Sequence, residues 1–146
     1  ALNLRSRHDD IYIETLKQFT GSLSLSDLKI SLLEEELKST SKFGTLRIQS
    51  VSPNAKKIDI EGDKTDIIIG VPDSFQGSFN IQVDEKGSLT YPQEMTIASE
   101  EAGEDKLRKF KGKMGSASGP EVSIRASNGI VQIGEDWEIG ILTIRN

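Results

Sequence analysis

Apolar residues recur along the chain in short pairs separated by one polar position. The pairs are Ile11/Ile13, Leu23/Leu25, Leu46/Ile48, Ile58/Ile60, Ile67/Ile69, Phe79/Ile81, Leu89/Tyr91, Val122/Ile124, Val131/Ile133 and Leu142/Ile144. Alternation with period two over such short stretches predicts β-strands, because successive side chains of a strand point to opposite faces. The intervals alternate as well. Steps of 12 residues (Ile11 to Leu23, Leu46 to Ile58, Ile67 to Phe79) and of 11 (Val131 to Leu142) intersperse with steps of 9 or 10 (Ile58 to Ile67, Phe79 to Leu89, Val122 to Val131). One long and one short step make about 21–22 residues, a period that predicts a solenoid.

The segment before the first beat repeats too. Residues 41–48 (SKFGTLRI) align with 84–91 (DEKGSLTY) and with 126–133 (ASNGIVQI), and two copies without the glycine stand at 6–13 and 62–69. The turn position is then Asp9, Gly44, Thr65, Gly87 and Gly129. If that residue needs positive φ, Gly is unstrained and Asp tolerable, whereas the β-branched Thr65 predicts a different turn in its coil. A pair of short strands cannot bury its own apolar face. Stacking coils at ~4.8 Å pairs each strand with its equivalents above and below and lines the interior with Ile, Leu and Val. Aromatics are expected to overfill so narrow an interior.

Two stretches break the rhythm. Residues 28–39 (LKISLLEEELKS) read either as a helix capped by Ser26 or as a continued coil in which Leu28, Ile30 and Leu32 alternate. Residues 92–121 hold an acidic cluster (Glu100, Glu101, Glu104, Asp105) followed by a basic one (Lys106, Arg108, Lys109, Lys111, Lys113). They read as a protruding loop or hairpin anchored by Leu107 and Phe110. The whole chain, 1–146, is expected to be one all-β domain, a single-stranded parallel β-helix of about six or seven two-strand coils at ~21 residues each.

Composition sharpens this picture. Ile, Leu and Val supply 35 residues and aromatics only 8. The formal net charge of −5 argues against nucleic-acid binding, which needs a surplus of cations. With no Cys and one His, disulfides, thiol chemistry and Cys-bearing zinc sites are excluded. No apolar run reaches the ~20 residues of a membrane-spanning helix. The opening Ala1-Leu2-Asn3-Leu4 is already in alternation and has no initiator Met, so a trimmed piece of a longer precursor is expected.

The order of motifs from KTDIIIGVP (64–72) through Phe79-Asn80-Ile81 and Gly87-Ser88-Leu89 is followed by the charged insertion. After it come Gly112, Gly115, Gly119-Pro120, Val122-Ser123-Ile124 and SNGIVQI (127–133). This order resembles the bacterial adhesin family, a domain of unknown function built as a single β-helix, and the resemblance is best from Gly44 to Ile133. It implies an exported protein of the cell envelope or surface, and it offers no catalytic residues to carry over. Two turns here lack the glycine of the pattern.

Candidate chemistry is sparse. His8 beside Asp9 and Asp10 invites an acid–base or metal role, but its place in a repeat turn predicts a solvated side chain. Glu61, Asp63 and Asp66 could ligate calcium, although their spacing matches neither an EF-hand nor a glycine-rich calcium repeat. Asp10, Thr45, Asp66 and Ser88 share one repeat position, and paired carboxylates on adjacent coils would serve glycoside hydrolysis. Trp137 reads as an end cap over the last coil or a sugar platform. Asn128-Gly129 reads as a turn, and Gly112, Gly115 and Gly119 as a flexible connector.

Lys106, Arg108, Lys109, Lys111 and Lys113 are the candidate contact for a surface partner: a glycan, an anionic envelope polymer or a protein. The functional expectation is a non-enzymatic envelope or surface module with no cofactor and no metal. The alternatives are a polysaccharide-acting β-helix enzyme, or a scaffold that self-associates through its open coil ends.

Overall fold

A computed structural model describes residues 2–72, 75–102, 107–115 and 119–134. These residues are all-β and contain no helix. The strands are β1 (Leu2–Arg7), β2 (Asp10–Val51), β3 (Lys57–Gly70), β4 (Gly77–Asp84), β5 (Ser88–Thr90), β6 (Thr96–Ala102), β7 (Leu107–Met114), β8 (Glu121–Ser127) and β9 (Ile130–Gly134). They form one mixed, open sheet in the order β1-β2-β3-β8-β4-β7-β6, with β9 beside β3 and β5 beside β9. At ~3.3 Å per residue a straight strand as long as β2 would span about 140 Å. It bends instead, at Leu25 and Phe43, where φ is positive. Residues 28–39 lie within β2 and are strand, with Leu28, Ile30, Leu33 and Leu37 buried.

Successive passes of the chain lie side by side in parallel register. Leu2 faces Phe19 across β1 and β2, an offset of 17 residues. Leu37 faces Ile58, and Leu46 faces Ile67, an offset of 21. The repeat therefore starts shorter than the sequence spacing predicts. The extra residues of the later pass sit in a turn closed by the Ala55 N–H donating to the Ser52 carbonyl at 3.0 Å.

Chain order and spatial order also part company. β8 lies between β3 and β4, so that Val122 faces Ile58 on one side and Phe79 on the other. β9 likewise lies between β3 and β5, with Val131 between Ile67 and Leu89. The result is a set of inward columns: Leu37, Ile58, Val122 and Phe79; Leu46, Ile67 and Val131; Ile48, Ile69 and Ile133. All of these residues are buried. Removing each such side chain from water contributes about 1.5–3 kcal/mol before the cost of chain ordering.

The interior accepts aromatics after all. Phe19, Phe75, Phe79 and Phe110 are buried. Glycines make the room: a Cβ on Gly21 would stand 2.4 Å from the Phe19 ring, and one on Gly77 would stand 2.9 Å from that of Phe75. Phe75 and Phe79 then meet at 5.8 Å between centroids with a 51° tilt, a favourable aromatic arrangement.

The corners explain the repeated turn motif and correct its phase. Positive φ falls on His8, Phe43, Lys64 and Asn128, one residue before four of the five positions read from the sequence; it falls also on Leu25, where none was read, and on neither Lys86 nor Gly87. Thr65 is thus spared the strain that a β-branched residue would suffer there. It is buried, and its hydroxyl donates to the Asp63 carbonyl at 3.0 Å, across Lys64. Ser26 does the same across Leu25, donating to the Ser24 carbonyl at 2.9 Å. Between these hydroxyl-bearing residues stand glycines. A Cβ on Gly44 would lie 2.0 Å from the Ser26 carbonyl oxygen, and one on Gly129 2.2 Å from that of Thr65.

On the outer face, register neighbours are complementary in charge: Glu36–Lys57–Glu121, Lys38–Asp59, Lys42–Asp63 and Glu61–Arg125. Each opposite-charge pair contributes about 0.2–1 kcal/mol, and like charges there destabilise. Gly44→Ala and Gly129→Ala are each expected to lower the unfolding free energy by about 2 kcal/mol or more in urea titrations, since carbonyl backbone must give way. Gly62→Ala, whose nearest contacts would be side chains at 3.1 and 3.2 Å, is expected to cost less. Lys57→Glu would place three carboxylates side by side. It is expected to cost about 1 kcal/mol, a loss that shrinks when the titration is repeated in high salt.

Candidate functional site

β7 adds to the edge of the parallel stack, antiparallel to β4, and β6 pairs antiparallel on its far side. Alternation decides what β7 presents. Phe110, Gly112 and Met114 point inward and are buried, while Lys111 and Lys113 are exposed and Lys109 is half-buried. Gly112 is therefore a packed strand residue and not part of a connector. A Cβ there would meet the Ile97 Cδ1 at 3.0 Å.

Arg108 has the inward phase of Phe110. Its Nη2 donates to the Gly87 carbonyl at 2.7 Å and to the Asp84 carbonyl at 3.4 Å. This guanidinium fastens the β4–β5 turn, in which the Gly87 N–H donates to the Asp84 carbonyl at 3.1 Å. Lys106 lies outside the described residues. Of the five cations grouped by the sequence, the fold thus aligns Lys109, Lys111 and Lys113 in one outward row.

The surroundings of that row differ from the rest of the outer face. Lys111 faces Asn80 of β4 and Ser99 of β6, and Lys113 faces Ser78 and Thr96. Lys109 faces Gln82 and Glu101. Beyond β4, Ser123 of β8 faces Asn80 and Arg125 faces Gln82. A groove of about 280 Å³ runs from β2 across β3 and β8 to β4, with Lys38, Asp59, Glu61, Arg125, Asn80 and Gln82 in its lining, and none of the three lysines lines it. Ser78, Asn80 and Gln82 escaped the sequence reading. Their alternation with Phe79, Ile81 and Val83 was visible, but nothing in it showed that β7 would lie alongside.

The other candidates are dispersed. His8 is an exposed corner residue, and the adjacent Asp9 accepts a hydrogen bond from the Ser6 hydroxyl. The corner at Lys64 separates Asp66 from Glu61 and Asp63 and turns it onto the next face, where it accepts from the Ile130 N–H at 3.4 Å. Among the described residues no group of three or more His, Asp or Glu is placed to hold a metal ion. Asp84 accepts from the Asn128 N–H at 3.0 and 3.1 Å through its two oxygens, tying the interposed layer to β4.

The row through Asp10, Thr45, Asp66 and Ser88 is not continuous as the sequence placed it. Thr45 faces Asp66, but Ile130 stands between Asp66 and Ser88. Asp27 joins Asp10, because the Asp27 N–H donates to the Asp9 carbonyl at 2.9 Å. Trp137 lies outside the described residues.

Comparisons with family models, with curated proteins and with solved structures return no match. No helix among the described residues is long and apolar enough to cross a membrane. Arg108→Ala is expected to destabilise by about 1–3 kcal/mol, because it removes the guanidinium donor from the Gly87 carbonyl and one of two donors from that of Asp84. Lys111→Ala and Lys113→Ala should shift the unfolding free energy by no more than about 0.5 kcal/mol. Urea midpoints for the three variants would separate the fastening cation from the displayed ones.

Proposed function

We propose that this chain is a non-enzymatic module of a bacterial cell envelope or surface. It displays the row Lys109, Lys111 and Lys113 toward an anionic envelope polymer, with Ser78, Asn80 and Gln82 as neutral hydrogen-bonding neighbours. The stack of parallel passes is read as a single β-helix with an antiparallel pair laid on one end, in keeping with the adhesin resemblance of the motif order. The observation that carries the reading is the register: neither strand flanking β7 places an acid opposite Lys111 or Lys113. Elsewhere on this face cations meet carboxylates, as at Lys38–Asp59 and Glu61–Arg125.

Lysines two residues apart on a strand stand ~6.8 Å apart, a linear array suited to a chain of phosphodiesters or uronates. Their charge is exposed, so binding is expected to weaken with salt. Self-association is the second reading. It is favoured by β1, which pairs with β2 alone and leaves its other edge without a partner among the described residues.

Calorimetry with poly(glycerol phosphate), polygalacturonate and neutral dextran tests the first reading. At least one anionic polymer should bind, dextran should not occupy this row, and K109A/K111A/K113A should weaken the anionic binding by about tenfold or more. Failure of both anionic polymers to bind, or full binding by the triple variant, would sink it. Sedimentation across a concentration series checks the second: a single monomer species throughout would dismiss it.

A further inference from the structure

A second groove, on the other outward face of β2, is built differently from the lysine row. We propose that it is a binding site for a neutral pyranose ring of a glycan, with Tyr12 as the stacking platform and Asp10, Asp27, Lys29, Thr45 and Arg47 as the polar surround. This goes beyond the reading of the lysine row and stands on separate residues.

Three passes of β2 assemble the groove. Outward positions alternate as Asp10 and Tyr12, Asp27 and Lys29, Thr45 and Arg47, while Leu28 and Leu46 of the same passes are buried. The Asp27 N–H to Asp9 carbonyl bond brings Asp10 and Asp27 into neighbouring positions. The groove is open to solvent and offers about 390 Å³, in the range of small-ligand sites.

Tyr12 is 62% exposed, yet it is held on two sides. Its hydroxyl shares a 2.7 Å hydrogen bond with Ser31 Oγ, and the Lys29 ammonium lies 5.7 Å from the ring centroid. A large aromatic surface is therefore kept in place without being buried, which is what a stacking platform requires. Arg47 also lines the groove, and its Nε is buried without a hydrogen-bond partner. An unmet buried donor costs about 1–3 kcal/mol, so the ligand contact assigned to Arg47 is that of its terminal guanidinium nitrogens.

The charges select the ligand class. Two carboxylates repel anions such as nucleotides or uronates, and an ammonium beside a guanidinium repels cations. A neutral ring bearing many hydroxyls satisfies both, donating to Asp10 and Asp27 and accepting from Lys29 and Arg47. Its C–H face meets the electron-rich face of the Tyr12 ring.

The test uses the hexamers of β-1,4-glucose, α-1,4-glucose and N-acetylglucosamine, titrated into the whole chain by calorimetry and by NMR. At least one should bind and shift the resonances of Tyr12, Lys29 and Arg47 together. Tyr12→Ala should weaken that binding about tenfold or more, and Tyr12→Phe much less, since stacking survives the loss of the hydroxyl. Asp10→Asn with Asp27→Asn should weaken it as well. K109A/K111A/K113A should leave it unchanged, while the two aspartate substitutions leave binding of the anionic polymers intact. Absence of binding by all three hexamers, shifts confined to other residues, or full affinity in the Tyr12→Ala protein would overturn the proposal. None of these outcomes bears on the lysine row.

Discussion

The contact on which the stack depends is the approach of one backbone corner to the next. The Ser26 carbonyl stands where a Cβ of residue 44 would be, and the Thr65 carbonyl where a Cβ of residue 129 would be. Glycine at 44 and 129 is thus a condition for layers to close to strand-pairing distance, ~4.8 Å, at the point where the chain reverses its side. Ser26 and Thr65 carry side chains at the equivalent corners because their neighbours there do not. Their hydroxyls, bonded across the positive-φ residue, hold the bend that Gly44 and Gly129 leave free. Non-glycine residues at positive φ cost roughly 1–2 kcal/mol each. Leu25, Phe43 and Lys64 bear that cost, with Phe43 partly compensated by Lys64 and Lys42 ammonium groups 5.0 and 5.8 Å from its ring.

Corner geometry fixes how close layers come, but not which layer follows which. β8 and β9 are placed between β3 and the β4–β5 pass, out of chain order. Ile58 could face Phe79 directly, at the same 21-residue offset that Leu37 and Ile58 show. Instead Val122 takes the place between them. Lys57 opposite Glu121 and Glu61 opposite Arg125 favour that arrangement, and Asp84 and Asp66 accept from the Asn128 and Ile130 amides at its corner. The partners of β3 in this layer are 64 residues away along the chain. Such long-range pairing makes assembly slower than stacking in chain order, because the loop-closure cost precedes the reward.

This explains what was legible beforehand. Period-two pairs identified strands at 11–13, 46–48, 58–60, 67–69, 79–81, 122–124 and 131–133, because burial of one face writes itself directly into alternation. The turn motif was found but misphased, since Gly44 and Gly129 mark the close approach and the strain falls on Phe43 and Asn128. Asp27 was missed as the neighbour of Asp10 because an assumed period of 21–22 residues skips a pass that recurs after 17. The alternation within β7 could be read, and with it the outward phase of Lys109, Lys111 and Lys113. The amide row beside it could not, because lateral neighbours at long range leave no mark on local spacing. Arg108 belongs to the same basic run by composition, yet its phase sends it inward to the Gly87 carbonyl.

Phase and register together also sort the surface charge of an acidic chain. The formal charge of −5 describes the whole, and it hides how the cations are used. Lys38, Lys42, Lys57 and Arg125 face acidic residues across β2, β3 and β8. An acid stands opposite each of them in register. Lys111 and Lys113 have no acid opposite them in register, and β7 is held by its eight-residue pairing with β4 and by buried Phe110 and Met114. A cation that has no acid opposite it and lies beside neutral donors and acceptors keeps its full electrostatic reach for a partner. The same reasoning separates the Tyr12 groove from both, because there the two signs are mixed within one depression and favour a ligand with no charge at all.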